Sequence, residues 1–154
     1  MNPAGPINPA GPIILHVEDD ANDRALLLAA FRRAGVKLQV QGVGDGEAAV
    51  AYLAGAGQYA DRAVFPMPSL VLLDLKMPRM TGFELVQWVR SKPPLAWLPL
   101  VIFSSSKSEE DILKGYRLGA SSYLVKPVMF EDLITTARDI HYYWFVVNHL
   151  CPAE

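Results

Sequence analysis

An α/β fold with a doubly wound, five-stranded parallel sheet is predicted from three observations. Five short apolar runs of strand length alternate with five longer segments of helical periodicity. That alternation implies parallel strands joined by right-handed crossovers, with helices on both faces. Three of the runs end in charge: Glu18-Asp19-Asp20 closes the first, Asp74 the third and Lys126 the fifth. In open sheets of this kind ligands bind beyond the strand carboxyl ends, where the strand order reverses. With strand order 2-1-3-4-5 that point lies between the first and third strands, the two that end in acids.

The first strand is Ile13 to Val17. A helix from Asn22 to Ala34 follows, with Leu26, Leu27, Ala30 and Phe31 on one face and Gly35 as its stop. Asp19 or Asp20 is placed to cap it, and Asp20 takes that role here. Leu38 to Val43 makes the second strand, Gly44-Asp45-Gly46 a turn, and Glu47 to Ala54 the second helix. Gly55 to Pro68 is a long loop, against a usual length of about 4–6 residues. The third strand runs from Leu70 to Asp74 and cannot continue through Pro78, which lacks a ladder donor. The third helix spans Phe83 to Arg90, with Phe83, Val86 and Trp88 among its apolar positions, and stops at Ser91-Lys92-Pro93-Pro94. Leu100 to Phe103, Ser108 to Leu118 and Ser122 to Val125 supply the fourth strand, fourth helix and fifth strand. The last helix starts near Phe130 and passes Val147.

A chain of 154 residues with 51% hydrophobic and 19% charged residues matches one globular domain with a sizeable core. The expected division is a Pro/Gly-rich disordered tail over 1–12, one domain over 13–150, and a short tail over 151–154. Residues 2 to 13 repeat Asn-Pro-Ala-Gly-Pro-Ile twice, a composition that favours extended, solvated chain. A net charge of −2 gives no reason to expect nucleic-acid binding, which usually shows a basic face. With Cys151 as the only cysteine, no intrachain disulfide can form, which suits a reducing compartment. No apolar stretch reaches the roughly 20 residues that span a bilayer, so the expected location is the cytoplasm.

Two acids converging from neighbouring strand ends repel each other and raise each other's pKa; a divalent cation removes that repulsion. Mg²⁺ takes oxygen ligands, usually one or two carboxylates with waters and phosphate oxygens, and Asp19 and Asp74 can supply the carboxylates. Asp74 can also attack phosphorus to give an aspartyl phosphate. Such an attack needs positive charge on the phosphoryl oxygens, part of it from Lys126, held by the turn at Pro127. A cis peptide before Pro127 would aim that side chain inward. Of Ser104-Ser105-Ser106, which follow the fourth strand, Ser104 stands nearest the same crevice, while Ser106 or Ser108 can cap the next helix.

Taken together, Val17-Glu18-Asp19-Asp20, Leu73-Asp74-Leu75-Lys76-Met77-Pro78, Ser104 and Tyr123-Leu124-Val125-Lys126-Pro127 resemble the receiver domain of two-component response regulators, a flavodoxin-like fold. The resemblance covers Ile13 to about Leu150. It implies that Asp74 accepts a phosphoryl group from a sensor histidine kinase. It implies a Mg²⁺ site made by Asp19, Asp74 and the backbone carbonyl of Lys76, with Glu18 assisting indirectly. Lys126 would contact the phosphoryl group, and Ser104 and Tyr123 would form the switch pair that reports phosphorylation. Lys76 and Ser106 stand at positions that tune self-dephosphorylation in the family; the protein is otherwise no enzyme. Thr81 replaces an Asp common among relatives, at a turn position away from the chemistry. The long loop, the Ser105-Ser106 and Glu109-Glu110-Asp111-Ile112 segments and the aromatic Tyr143-Trp144 of the last helix resemble stand-alone regulators paired with bacterial phytochrome kinases.

In the last helix, about 100° per residue puts Leu133, Ala137, Ile140, Trp144 and Val147 on one stripe that can cover the sheet. Tyr142, Tyr143 and Val146 point away from it and Phe145 sits at its margin. An apolar patch of that kind marks an interface, so a homodimer through Tyr142, Tyr143, Phe145 and Val146 is expected. With room only for this helix after Lys126, output is expected as altered protein contacts. A phosphatase of another aspartyl-nucleophile family is disfavoured, because its pattern places a second Asp where this chain has Lys76. A flavodoxin-like cofactor binder is disfavoured because no Gly-rich or hydroxyl-rich phosphate loop follows the first strand. An unphosphorylated, degenerate receiver is disfavoured by the complete site.

Overall fold

The computed structural model describes residues 11–152. The tail expected over 1–12 lies outside them except for Gly11 and Pro12, and the Pro12 carbonyl already accepts the Gln39 N–H at 3.3 Å. The first strand itself begins at Ile13, as expected.

Five parallel strands, β1 (Ile13–Val17), β2 (Gln39–Val43), β3 (Leu70–Leu73), β4 (Leu100–Ser104) and β5 (Ser122–Val125), form one sheet in the order 2-1-3-4-5, as expected. They alternate with α1 (Ala21–Arg33), α2 (Gly46–Ala54), α3 (Gly82–Arg90), α4 (Glu109–Leu118) and α5 (Phe130–His141). Strand side chains alternate between faces with period two. Ile14, Leu70, Leu72, Val101 and Phe103 join Leu27, Phe31, Ala137 and Ile140 on the face covered by α1 and α5. Leu15, Val17, Val71, Leu73 and Ile102 join Tyr52, Leu85, Val86 and Val89 on the opposite face.

The helices start where short polar side chains satisfy their first N–H groups. Asp20 accepts from Asn22 and Asp23, Asp45 from Ala48, Thr81 from Glu84 and Ser108 from Asp111. Ser108 is thus the α4 cap, and Ser106 hydrogen-bonds the Asp111 carboxylate instead, at 2.6 Å. Thr81 keeps a capping oxygen at the β3–α3 turn, so the departure from Asp costs the helix nothing essential. Gly55 and Gly119 close α2 and α4 in the left-handed region.

The structure corrects or sharpens four points. Leu26 is 39% exposed, because α1 turns Leu27, Ala30 and Phe31 to the sheet and leaves Leu26 at the rim. In α3 the buried positions are Leu85, Val86 and Val89; Phe83 and Trp88 are half-buried under Lys114 and Lys92. The Lys126–Pro127 peptide is trans, since no cis bond occurs among the described residues. The last helix does not remain α-helical past Val147: after His141 the chain widens into a π-helical turn, Tyr142–Val147, in which the Asn148 N–H reaches the Tyr143 carbonyl. The wider turn advances less per residue. Neighbours Trp144 and Phe145 consequently both pack on the core, and Val147 swings out to 50% exposure.

The long loop is a folded element. The Arg62 guanidinium donates to the carbonyls of Tyr52 and Leu53 at the end of α2 and to that of Phe65. The Tyr52 hydroxyl donates to the Pro66 carbonyl, and the rings of Tyr52, Tyr59 and Phe65 pack within 5.1–6.0 Å of one another.

Candidate functional site

The carboxyl ends of β1, β3 and β5 deliver three kinds of charge to one crevice. Glu18 follows β1 and is buried, Asp19 is exposed one residue on, and Asp74 follows β3 at the rim. One carboxylate oxygen from each of Glu18, Asp19 and Asp74 lies within 4.8 Å of the others, and among the described residues this is the group of acids placed to hold a metal ion. The ladder fixes their relation: the Asp74 N–H donates to the Val17 carbonyl at 3.0 Å, and the Glu18 N–H to that of Val43 at 3.1 Å.

Lys126 follows β5 and is positioned by its own N–H, which donates to the Ser104 carbonyl at 2.8 Å. Its ammonium crosses beneath β4 to reach Glu18 at 2.6 Å, Asp74 at 3.2 Å and Asp23 at 3.3 Å. Three donors thus meet three carboxylates. Burial works against the Lys126 charge, but the carboxylates of Glu18 and Asp74 outweigh it and hold its pKa above the ordinary lysine range. Burial pushes Glu18 up to about 7, opposed by the hydrogen bonds from Lys126 and the Asp20 N–H. Burial also lowers His16, on β1 behind Lys126, to about 3, with Lys126 and Arg24 adding to the effect.

The three acids differ in what they have free. Both Glu18 oxygens are engaged, one by the Asp20 N–H at 3.1 Å and the other by Lys126. In Asp74, Oδ1 accepts the Leu75 N–H at 2.8 Å and Oδ2 faces Lys126. No side-chain hydrogen bond among the described residues engages Asp19. An all-oxygen donor set with an unspent carboxylate fits a hard divalent cation.

Ser104 closes β4 and is buried; its Oγ accepts the Ser106 N–H at 3.1 Å. The Tyr123 hydroxyl donates to the Ser106 carbonyl at 2.9 Å. The two expected switch residues are therefore joined through the backbone of Ser106. The Lys76 side chain is exposed in the turn after Asp74. Asp23 and Arg24 were not expected at the site: Asp23 reaches Lys126, and Arg24 Nη1 donates to the Glu18 carbonyl. Helical spacing from the Asp20 cap was the available signal, because one turn brings both back over the β1 end.

Residues 14–138 match the model of the response regulator receiver domain. The response regulator RPA3017, in red light signalling of R. palustris, superposes with a TM-score of 0.89 at 33% identity, over 93% of this chain and 100% of its own. The phosphorylated cyanobacterial phytochrome response regulator RcpA gives 0.83 at 33% identity, over 92% and 99%. Response regulator Rcp1 of Synechocystis is 31% identical over 132 residues, 86% of this chain and 88% of its own. Its Mn²⁺-bound form superposes with a TM-score of 0.81, over 92% and 99%. Sheet order, strand-end acids and these similarities agree: the chain belongs to the response regulator receiver domain family and is related to the phytochrome response regulators.

Proposed function

We propose that this receiver accepts a phosphoryl group on Asp74 from a sensor histidine kinase, with Mg²⁺ bound beside it, and signals through altered protein contacts. The observation that carries the reading is the meeting of Glu18, Asp19 and Asp74 with the Lys126 ammonium at one crevice. Asp74 provides the attacking oxygen. Its bond to phosphorus forms as the phosphorus–nitrogen bond to the donor imidazole breaks, the bonding pair stays on that nitrogen, and the ring, protonated on its other nitrogen in the donor, leaves as neutral imidazole. Asp19, Asp74 and the Lys76 carbonyl hold the cation, whose charge offsets that of the phosphoryl oxygens. Glu18 serves indirectly, which suits a nearly inaccessible carboxylate that Lys126 holds at 2.6 Å, closer than it holds Asp74. Lys126 turns part of its donor capacity to the phosphoryl group, Ser104 donates its hydroxyl to it, and Tyr123 follows through Ser106. A phytochrome-type kinase is the favoured donor, on the likeness to RcpA and Rcp1, and the cytoplasm the favoured location.

The same proposal includes a homodimer through the end of the last helix. Tyr142, Tyr143 and Val146 are 60%, 52% and 56% exposed and supply its face, while Phe145 is turned inward and contributes at its edge. A monomeric mass in light scattering at working concentrations would remove this part.

To test the chemistry, the protein is incubated with acetyl phosphate and Mg²⁺ and assayed for a hydroxylamine-labile adduct. The adduct is expected in the native chain and absent from a folded Asp74→Asn variant; an adduct surviving that substitution overturns the assignment.

A further inference from the structure

Beside Lys126, a cavity of about 180 Å³ opens between α1 and the turn that leads from β5 into α5. Its apolar walls are Leu26, Leu27, Phe103, Phe130 and Leu133, Asp23 and Lys126 supply a charged edge, and His16 is its most buried polar member. Val128 and Met129, 97% and 63% exposed, form the mouth.

His16 is the unusual member. It is 3% exposed, and none of the side-chain hydrogen bonds among the described residues reaches its imidazole. Buried polar groups in native proteins have partners almost without exception, and an orphan one next to open space points to a missing partner. A neutral imidazole offers one donor and one acceptor. The two charged residues on the lining, Asp23 and Lys126, are paired with each other at 3.3 Å, and the Lys126 ammonium is further engaged by Glu18 and Asp74. A charged ligand would have to break that pair, whereas a neutral one leaves it intact.

Size narrows the class again. Pockets for drug-sized ligands measure about 300–1,000 Å³. An apolar cavity of about 150 Å³ takes up a single benzene. The volume here excludes nucleotides and fits one small ring.

We propose that the half-open cavity lined by His16, Leu27, Phe103, Phe130 and Leu133 binds a small neutral aromatic compound of phenol size, its hydroxyl hydrogen-bonded to the His16 imidazole. The cavity adjoins the phosphoacceptor crevice: Lys126 and Asp23 stand between the two, and neither Asp19 nor Asp74 lines it.

Phenol is titrated into the full chain, without Mg²⁺ or phosphodonor, while histidine-ring and amide signals are followed by NMR. His16→Leu identifies the His16 resonance. Saturable shifts at His16, Leu27 and Phe130 are expected, with half-saturation at or below about 1 mM. Benzene, which cannot make the hydrogen bond, should bind about fivefold more weakly. Leu26→Trp places a ring at the rim of α1, where the native side chain is already partly exposed. With native circular dichroism retained, that variant should weaken phenol by about tenfold or more through filling the cavity. Linear, non-saturating shifts overturn the proposal, as does finding that only water occupies the cavity in a crystal soaked with phenol. Benzene binding as well as phenol overturns the role of His16, and undiminished binding in Leu26→Trp overturns the location.

Discussion

Replacing Gly82 with alanine should destabilise the protein and disorder the phosphoacceptor turn, even though alanine favours helices. Gly82 opens α3, and its N–H donates to the Leu75 carbonyl at 2.9 Å. A Cβ there would stand 2.2 Å from the Asp74 carbonyl oxygen, 2.8 Å from Leu75 Cα and 2.9 Å from the Asp74 carbonyl carbon. All three are backbone atoms, and ordinary contact begins near 3.4 Å, so α3 and the Asp74 turn must part by about 1 Å. Overpacking of that kind costs about 1–3 kcal/mol, and the helix preference of alanine over glycine returns at most about 1 kcal/mol. The net expectation is a loss of about 1–2 kcal/mol. Gly46→Ala provides the control. Its Cβ would come within 2.8 Å of Met80 Cγ and Sδ, a flexible side chain that can move, so its change should stay within about 0.5 kcal/mol. Urea unfolding of both variants gives the energies, and adduct formation with acetyl phosphate and Mg²⁺ reports on the turn. If Gly82→Ala matches Gly46→Ala in stability and forms adduct at the native rate, the close approach of α3 to the site does not constrain Asp74 and the reasoning fails.

Mg²⁺ at about 100 times its dissociation constant should stabilise the native chain by about 2.7 kcal/mol in thermal melts, reversibly on chelation. Asp19→Asn should abolish most of that gain, and Glu18→Gln should weaken Mg²⁺ by about 10–100-fold, as loss of an indirect partner does; equal losses would make Glu18 a direct ligand. Lys126→Met leaves the nearly inaccessible Glu18 carboxylate unpaired and should cost about 3–5 kcal/mol in urea unfolding, much of it recovered in the double variant with Glu18→Gln; an unchanged midpoint would mean that the ion pair carries no stability. His16 is held near 3 in the folded chain against 6.5 when unfolded, so the unfolded state alone takes up its proton between those values. Its contribution is present above pH 6.5 and lost as the pH falls, by about 2 kcal/mol at pH 5. Glu18, raised by burial, works in the opposite direction over its own window, which makes His16→Leu the necessary comparison: that variant should lose about 2 kcal/mol less than the native chain between pH 7.5 and 5, and parallel profiles would show that His16 is not buried neutral.

Strand ends were the most legible part of the sequence. An apolar run must stop where its side chains leave the core, so Glu18, Asp74 and Lys126 could be placed at one edge of the sheet from their positions alone, and the distances of 2.6 and 3.2 Å to Lys126 follow from that topology. Contacts made by rotation around a helix were harder to read. Asp23 and Arg24 reach the site because α1 begins at Ala21, and the choice between Asp19 and Asp20 as cap decides which face they share. The π-helical turn was not legible at all, since its register depends on whether Trp144 or Val147 finds room against the sheet. Leu26 was misassigned for a related reason: apolar residues on the edge of a helical stripe can line a cavity mouth as readily as a core. The segment Gly55–Pro68 reads in the sequence only as a long loop, because its order rests on one arginine and three rings brought together by the fold.

The charge balance at the crevice explains why one lysine can serve both the resting and the proposed phosphorylated state. Three carboxylates, those of Glu18, Asp23 and Asp74, reach the single ammonium of Lys126, Asp19 stands beside two of them, and Arg24 is directed to a backbone carbonyl. The cluster is therefore short of positive charge before any phosphoryl group arrives, and a divalent cation reduces the deficit. Lys126 lies closest to Glu18, at 2.6 Å, and farther from Asp74, at 3.2 Å, so its strongest resting interaction is with a carboxylate that is not the proposed acceptor. A phosphoryl group on Asp74 would carry more negative charge than the carboxylate it replaces and would draw the ammonium away from Glu18. The backbone of Lys126 is tied to Ser104, and Ser104 and Tyr123 are both tied to Ser106. A shift of charge at Asp74 would then have a hydrogen-bonded route from Lys126 through Ser104 and Ser106 of the β4–α4 loop to Tyr123.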